Sequence, residues 1–434
     1  MPDSSHSHTP RNFITCIVSI AISQPIEYPK QSTVFLSRRL AMHPVYNRII
    51  CSRHWLISIC VIFVTAVLFL SHSGPSSLRQ SVTGGLSSDG DACSATLASH
   101  VELLQREYSK LLEGVTHVAR IGFPDHGNKG DSAIWVAEEV LLESLGIQTV
   151  ALTVDNGFYD KNELRKTLEA HGGPEKTAIM FVGGGNFGDL YHVVQTNREN
   201  IAKDFPDYRI RSFPQSYKFM DEKNLLQSQE AYGQHPDLQL AARDVKSYMK
   251  MQTDFGKKHK ILLVPDIATM LVTRPVPAKV PKSDGLNILF LGRVDHEGSQ
   301  DHYQDKALFE ELRQLSDRDG KQVSVDITMM DWLDSEPVGL EQATYEEKAR
   351  LRLDWTYEFL SSYDLVISDR LHVHILSTLW NIDHITVEEG SYAKLRSYHE
   401  TWLSGCDNRV SMAQSVREAV DAAKDWYGRG RSFV

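Results

Sequence analysis

Apolar and polar positions along this chain follow two alternating periods. Short runs rich in Val, Ile and Leu recur at residues 118–123, 148–154, 178–182, 260–264, 287–291, 323–329 and 364–368. Runs of that length, bounded by polar turns, predict strands buried on both faces as in a parallel sheet. Between them lie stretches with apolar residues at helical spacing, at 97–112, 133–145, 238–251, 350–360 and 374–380. Such strand–helix alternation predicts an α/β fold of doubly wound, Rossmann-like sheets. Three prolines within residues 272–285 separate two series of this kind and predict a linker. The expected domains are 96–271 and 286–434, facing each other across a cleft.

One apolar run fits neither period. Residues 55–70 (WLISICVIFVTAVLFL) contain only Ser58 and Thr65 as polar positions. With its neutral flanks the run reaches the lower limit of a spanning helix, roughly 17–18 residues. It starts too far from residue 1 for a cleaved signal peptide. Arg38, Arg39, Arg48 and Arg53 precede it, and only Arg79 follows before the first acidic residue. The positive-inside bias then predicts a cytoplasmic tail at 1–54 and a transmembrane signal anchor at 55–72. A flexible Ser/Gly-rich stem at 73–95 follows, and the body of the chain is lumenal. A short span suits the thinner membranes of the early secretory pathway, so a single-pass type II protein of the Golgi or a neighbouring compartment is expected.

Charge and cysteine usage narrow the function. The net charge of -10 excludes a general nucleic-acid binder, which needs a basic footprint. A small anionic ligand held by a few local arginines remains compatible with it. The five cysteines show no Cys-x-x-Cys or metal-ligand spacing, so no metal site is expected. Only Cys93 and Cys406 lie beyond the apolar run, where an oxidising lumen would allow them to pair. No Asn-x-Ser/Thr sequon occurs, and N-glycosylation is not expected.

Chemistry-bearing residues collect where strands hand over to helices, the place where open α/β sheets bind ligands. Residues 125–131 (DHGNKGD) place Asn128, Gly130 and Asp131 at one such turn. Asp131 reads either as a helix N-cap or as a group that orients or deprotonates a bound substrate. Residues 179–189 (IMFVGGGNFGD) run into Gly184, Gly185 and Asn186, either a tight turn or an amide cradle for an anion. Residues 211–216 (RSFPQS) bring Gln215 and Ser216 to another strand end. Arg243 and Ser247, four apart on the expected 238–251 helix, share a face. The last turn holds Arg370, Leu371 and His372, with Asp369 as the expected cap. If residues 371 onward are helical, two positions turn the chain by about 200° and His372 and His374 point to opposite sides; if the segment is still extended, they share a face.

In order and spacing, these motifs resemble the polysaccharide pyruvyltransferase family over roughly residues 118–405. The family pattern has Asn-x-Gly-Asp, Gly-Gly-Gly, Pro-Gln-Ser and Arg-Leu-His turns and a closing Tyr-Gly-Lys…Trp segment. Here the closing segment reads YAKLRSYHETW at 392–402, Val373 replaces a frequent Gly, and 388–394 reads EEGSYAK. The two-domain layout resembles the GT-B architecture. What the resemblance implies is transfer of pyruvate from phosphoenolpyruvate to two hydroxyls of a glycan sugar, with terminal galactose as the expected acceptor. It implies no cofactor besides phosphoenolpyruvate as co-substrate. Arg243, Arg370 and Leu371 would hold the donor, and His372 and Asp131 would move protons. The glycine, Asn and Pro-Gln-Ser turns would line the substrate. Two other readings stay open on sequence: a nucleotide-sugar glycosyltransferase, and a membrane-tethered glycan-binding protein without catalysis.

Overall fold

The computed structural model describes residues 92–155, 157–275, 285–293, 306–317, 319–389 and 394–433. The tail 1–54, the apolar run 55–70, most of the stem, residues 276–284 of the linker and Tyr392 lie outside the described residues. Among the described residues, no helix is long and apolar enough to cross a membrane.

Two parallel sheets account for the strands. The first contains β1 (His117–Phe123), β2 (Gln148–Val154), β3 (Thr177–Phe181), β5 (Arg209–Lys218), β6 (Leu238–Ala242) and β7 (Ile261–Leu263), in the order β2-β1-β3-β5-β6-β7. A short β4 (Gly184–Gly188) adds onto β5 beyond β3. The second contains β8 (Leu286–Leu291), β9 (Val325–Met330), β10 (Leu365–Ser368), β11 (His384–Val387) and β12 (Val410–Ala413), in the order β12-β11-β10-β8-β9. All of these pairings are parallel. β3 and β10 are buried along their whole length, which is why their sequences are apolar runs rather than alternations.

Three expectations shift at this level. Residues 238–251 are not one helix. β6 ends at Ala242, Asp244 caps a new helix Val245–Asp254, and Arg243 sits in the turn between them. The Pro-Gln-Ser segment is not a strand-end turn but lies inside β5. Pro214 is tolerated there because the pairing with β6 slips between Arg211 and Pro214, so the missing N–H interrupts an already irregular ladder. The first helix runs Ala92–Leu111 and so begins inside the stretch read as stem.

One apolar cluster is built from both halves. It joins Val118, Phe123 and Trp135 from the first to Leu289, Leu353, Val366 and Leu376 from the second. Phe123 lies 4.8 Å, centroid to centroid, from both Trp135 and Tyr345. Because the two sheets share a core, the residues at their carboxyl ends are held in fixed register.

Cys93 and Cys406 form a disulfide. It ties the first turn of helix Ala92–Leu111 to the 404–409 turn, closing a loop of sequence separation 313. Cross-links that close long loops raise stability by about 2–4 kcal/mol. Cys93→Ala should therefore lower the melting temperature by several degrees. Dithiothreitol should lower it in the wild type and leave the variant unmoved; equal sensitivity in both would show the bond contributes nothing.

Candidate active site

The carboxyl ends of strands from both sheets meet at one cavity of roughly 270 Å³. Asn128 and Asp131 follow β1, Gly185 and Asn186 follow β3, and Arg243 follows β6. From the second half come Arg293 after β8, Trp332 after β9, Arg370, Leu371 and His372 after β10, and Lys394 after β11.

Two helices begin at this cavity. In the first, Lys129–Ser144, Asn128 is the cap and its side-chain oxygen accepts from the Gly130 N–H at 3.2 Å. Asp131 therefore does not cap. It sits in the first turn, where its Oδ2 accepts from the Asn128 amide at 2.7 Å. The second helix, Leu371–Leu379, starts directly after Arg370 and has no side-chain cap. Asp369 instead accepts from the Arg293 backbone N–H at 3.0 Å. Helix N-termini present unsatisfied N–H groups and positive dipole ends, and both favour an anion.

Each half also supplies a buried guanidinium with a carboxylate beside it. Arg243 Nη1 lies 2.7 Å from Asp266 Oδ2 and its Nε donates to Ser216 Oγ at 2.8 Å. Arg370 Nη2 lies 2.5 Å from both oxygens of Asp331. All four residues are essentially buried, so each ion pair orients its arginine at the cavity wall. His372 Nε2 stands 3.5 Å from Asp266 Oδ2 and 3.5 Å from Arg243 Nη1. Burial opposes ionisation of Asp266, but Arg243 and His372 outweigh it and hold its carboxyl well below the ordinary range.

Behind this layer are residues that shape rather than line the cavity. Gln215 donates to the Val182 carbonyl at 2.7 Å, and Ser216 receives Arg243. Gly184 takes φ +112°, with Ile134 3.1 Å from where a Cβ would be, a conformation that glycine alone adopts readily. The Gly183 amide is not open to a ligand. It donates to buried Glu138 at 2.8 Å, and burial pushes that carboxyl up to about 8. The triple glycine is thus the entry to β4, and its third glycine, Gly185, lines the cavity.

Gly130 lies under the catalytic candidate. A Cβ there would sit 2.4 Å from His372 Nδ1 and 2.7 Å from its Cβ. Gly130→Ala keeps the helix N-terminus but pushes the imidazole out of place. Misplacement on the ångström scale costs about 10²-fold, so turnover should fall by that order while the far-ultraviolet spectrum stays unchanged. Wild-type turnover in this variant would remove His372 from the reaction.

Several wall residues lay outside the sequence reading. His126 falls between Asp155 at 3.3 Å and Asp131 at 3.8 Å. Burial works against its protonation, but the two carboxylates raise its pKa above the ordinary value. The sequence reading also leaves out Asp155 and Lys394, which line the cavity, and Asp266 and Asp331, which back its arginines, although Lys394 stands within the quoted closing segment. Their pairing is set by the fold and has no local sequence signal.

The sequence matches the model of the polysaccharide pyruvyl transferase family over residues 128–391. It is 36% identical over 345 residues to "Pyruvyl transferase 1" of Schizosaccharomyces pombe (strain 972 / ATCC 24843), covering 78% of this chain and 83% of that protein. The chain belongs to the polysaccharide pyruvyl transferase family. It is also 28% identical over 327 residues to "Putative pyruvyl transferase EpsO" of Bacillus subtilis (strain 168), covering 74% of this chain and 97% of that one. This pyruvyl transferase is accordingly an enzyme acting on polysaccharide. Its family match takes in every cavity residue from Asn128 to His372, and Lys394 falls just beyond it.

Proposed function

We infer that the enzyme transfers pyruvate from phosphoenolpyruvate to two hydroxyls of one glycan sugar, terminal galactose being the acceptor, and leaves a cyclic pyruvyl ketal. The observation that carries this reading is the convergence of two buried, carboxylate-backed arginines, Arg243 and Arg370, on one small cavity with His372. Phosphoenolpyruvate carries two anionic groups, a carboxylate and a phosphate, and planar guanidinium groups suit both. Arg293, Lys394 and two helix N-termini add to the positive wall. At roughly 270 Å³ the cavity lies just below the roughly 300–1,000 Å³ usual for ligand sites, a size that suits a three-carbon acid.

The proposed chemistry balances without a metal or redox partner. His372 gives a proton to the methylene carbon, which becomes a methyl group, and the neighbouring carbon takes oxocarbenium character. One sugar hydroxyl bonds to that carbon and its proton passes to Asp131. The carbon–oxygen bond to phosphate breaks, and the proton held by Asp131 leaves with the phosphate as the hydrogen phosphate ion. The second hydroxyl closes the ring, its proton returning to the imidazole. A histidine beside one carboxylate and one guanidinium suits both proton steps.

The setting is a lumen. The Cys93–Cys406 disulfide fits an oxidising compartment, and the arginines before residues 55–70 fit a single-pass type II anchor. The two sheets, opening on a shared cleft, then form a GT-B-like lumenal body in the Golgi or a neighbouring compartment. Protease added outside sealed microsomes should leave a C-terminal tag intact; digestion of the tag would reverse this topology. For the chemistry, the full chain should release phosphate from phosphoenolpyruvate only when a galactose-terminated glycan is present. Phosphate release without acceptor, or none with it, overturns the reading.

A further inference from the structure

Five residues away from the cavity form one continuous hydrogen-bonded chain. The Ile382 carbonyl lies 2.9 Å from His384 Nδ1. His384 Nε2 lies 2.7 Å from His374 Nδ1. His374 Nε2 lies 3.2 Å from His399 Nδ1, and His399 Nε2 lies 2.8 Å from Asp407 Oδ1. The three imidazoles are buried and the Asp407 carboxylate is largely exposed, at 71%.

The hydrogens can be counted. Both ends of the chain, a carbonyl and a carboxylate, are acceptors only. Four links need four hydrogens. Three neutral imidazoles bring three. The chain is complete only when it carries one extra proton, as an imidazolium balanced by Asp407. Burial opposes charge on the inner members: it holds His374 well below the ordinary value, and His384 down to about 4. The carboxylate that balances the extra proton stands at the other end, with Asp407 Oδ1 2.8 Å from His399 Nε2.

His399 is placed to make that proton matter. It begins a wide π-helical turn, His399–Leu403, directly after the helix Lys394–Tyr398; such turns recur at functional sites. This segment fastens the cavity wall. The Asp266 N–H donates to Tyr398 Oη at 3.2 Å, Ser397 Oγ donates to Asp244 at 3.2 Å, and Trp402 Nε1 donates to the Arg243 carbonyl at 2.7 Å. His374, its docking partner, is two residues from His372. Other titratable groups among the described residues lie near the turn: Glu400 within it, and Glu388, which accepts from the Leu395 and Arg396 N–H groups. Asp407 and Arg409 come from the 404–409 turn, Arg409 reaching the Thr378 carbonyl at 3.3 Å. His100 stands edge-on to Trp402 from the first helix, and burial lowers it to about 4.

We propose that His399 and Asp407 are positioning residues of the transferase, and that one proton shared along the His384–His374–His399–Asp407 chain latches the segment carrying Lys394, Tyr398 and Trp402 against the donor-binding arginine. When the proton leaves, one link loses its hydrogen, and the longest is the His374–His399 link. The segment then slackens where it holds Arg243 and Asp266, and donor binding weakens as pH rises. The kinetic side of this proposal rests on the phosphoenolpyruvate reading; the proton count does not.

Asp407→Asn is the discriminating variant. The Asn amide can donate to His399 Nε2 and so supplies the fourth hydrogen to a chain of neutral imidazoles. Its site is exposed, so folding is not at stake. With the full chain, the KM for phosphoenolpyruvate in the wild type should rise about tenfold between mildly acid and mildly alkaline pH, the worth of one buried hydrogen bond. In Asp407→Asn that rise should vanish, with kcat little changed at acid pH. Comparison at each pH cancels the titration of the substrate itself. Parallel pH profiles in the two proteins overturn the latch. Nitrogen-15 NMR of the imidazoles reads the count without any turnover: four hydrogens across the chain at mildly acid pH in the wild type support it, and three overturn it. A protein with four hydrogens and no activity on phosphoenolpyruvate at any pH would sink the donor assignment and leave the proton count standing.

Discussion

His372→Ala should lower turnover by about 10²–10⁴-fold, the usual contribution of a positioned acid or base, with little change in melting temperature. His372 lines the cavity and its Nε2 is shared between Asp266 and Arg243 at 3.5 Å each. Removing it deletes a proton donor at the cavity wall while leaving the Arg243–Asp266 pair intact at 2.7 Å. His374→Ala makes the contrast. It lies one half-turn round the same helix, fully within the second-half packing, and its loss leaves His384 and His399 each without an imidazole neighbour. That variant should lose stability first, and its defect per folded molecule should appear in KM rather than in turnover. Turnover and thermal unfolding of both variants separate the two positions. Full turnover in His372→Ala would place the acid elsewhere, and His126, held between Asp131 and Asp155, would be the group to test next.

Arg243→Lys and Arg370→Lys should each raise the KM for phosphoenolpyruvate by about 10–100-fold, the worth of one or two charge-assisted hydrogen bonds. Lysine keeps the charge but lacks the planar fork. Arg243 uses Nε on Ser216 and Nη1 on Asp266, and a single ammonium cannot serve both while still lining the cavity. The partner of Arg243, Asp266, is completely buried; an ill-paired buried carboxylate is costly, so the melting temperature of Arg243→Lys should also fall. Wild-type donor kinetics in both variants would remove the arginines from the donor site.

The strands were legible because a strand buried on both faces writes itself as a short apolar run, as at 364–368 and 287–291. The Arg-Leu-His turn was legible because that run ends abruptly in polar residues. Arg243 was placed on the wrong element for a physical reason. Leu238, Leu240, Ala241 and Ala242 are good helix formers spaced close to a helical face, and nothing local shows that they pair with β5 and β7. The signal that was there is Asp244, whose side chain accepts from the Ser247 N–H at 2.9 Å and marks a new helix start. Asp131 was offered as a cap where Asn128 does the capping; both residue types can cap, and only the fold chooses between them. The histidine chain could not be read at all, since His374, His384 and His399 meet only when β11 lies beside β10.

The most direct measurement of the account is mass spectrometry of a galactose-terminated glycan incubated with the full-length protein and phosphoenolpyruvate in heavy water. The account predicts one added pyruvyl ketal per acceptor, one phosphate released for each ketal formed, and a single deuteron in the ketal methyl group, delivered where the methylene carbon was protonated. An unchanged glycan, or an enolpyruvyl ether that keeps its double bond and gains no deuteron, would contradict it.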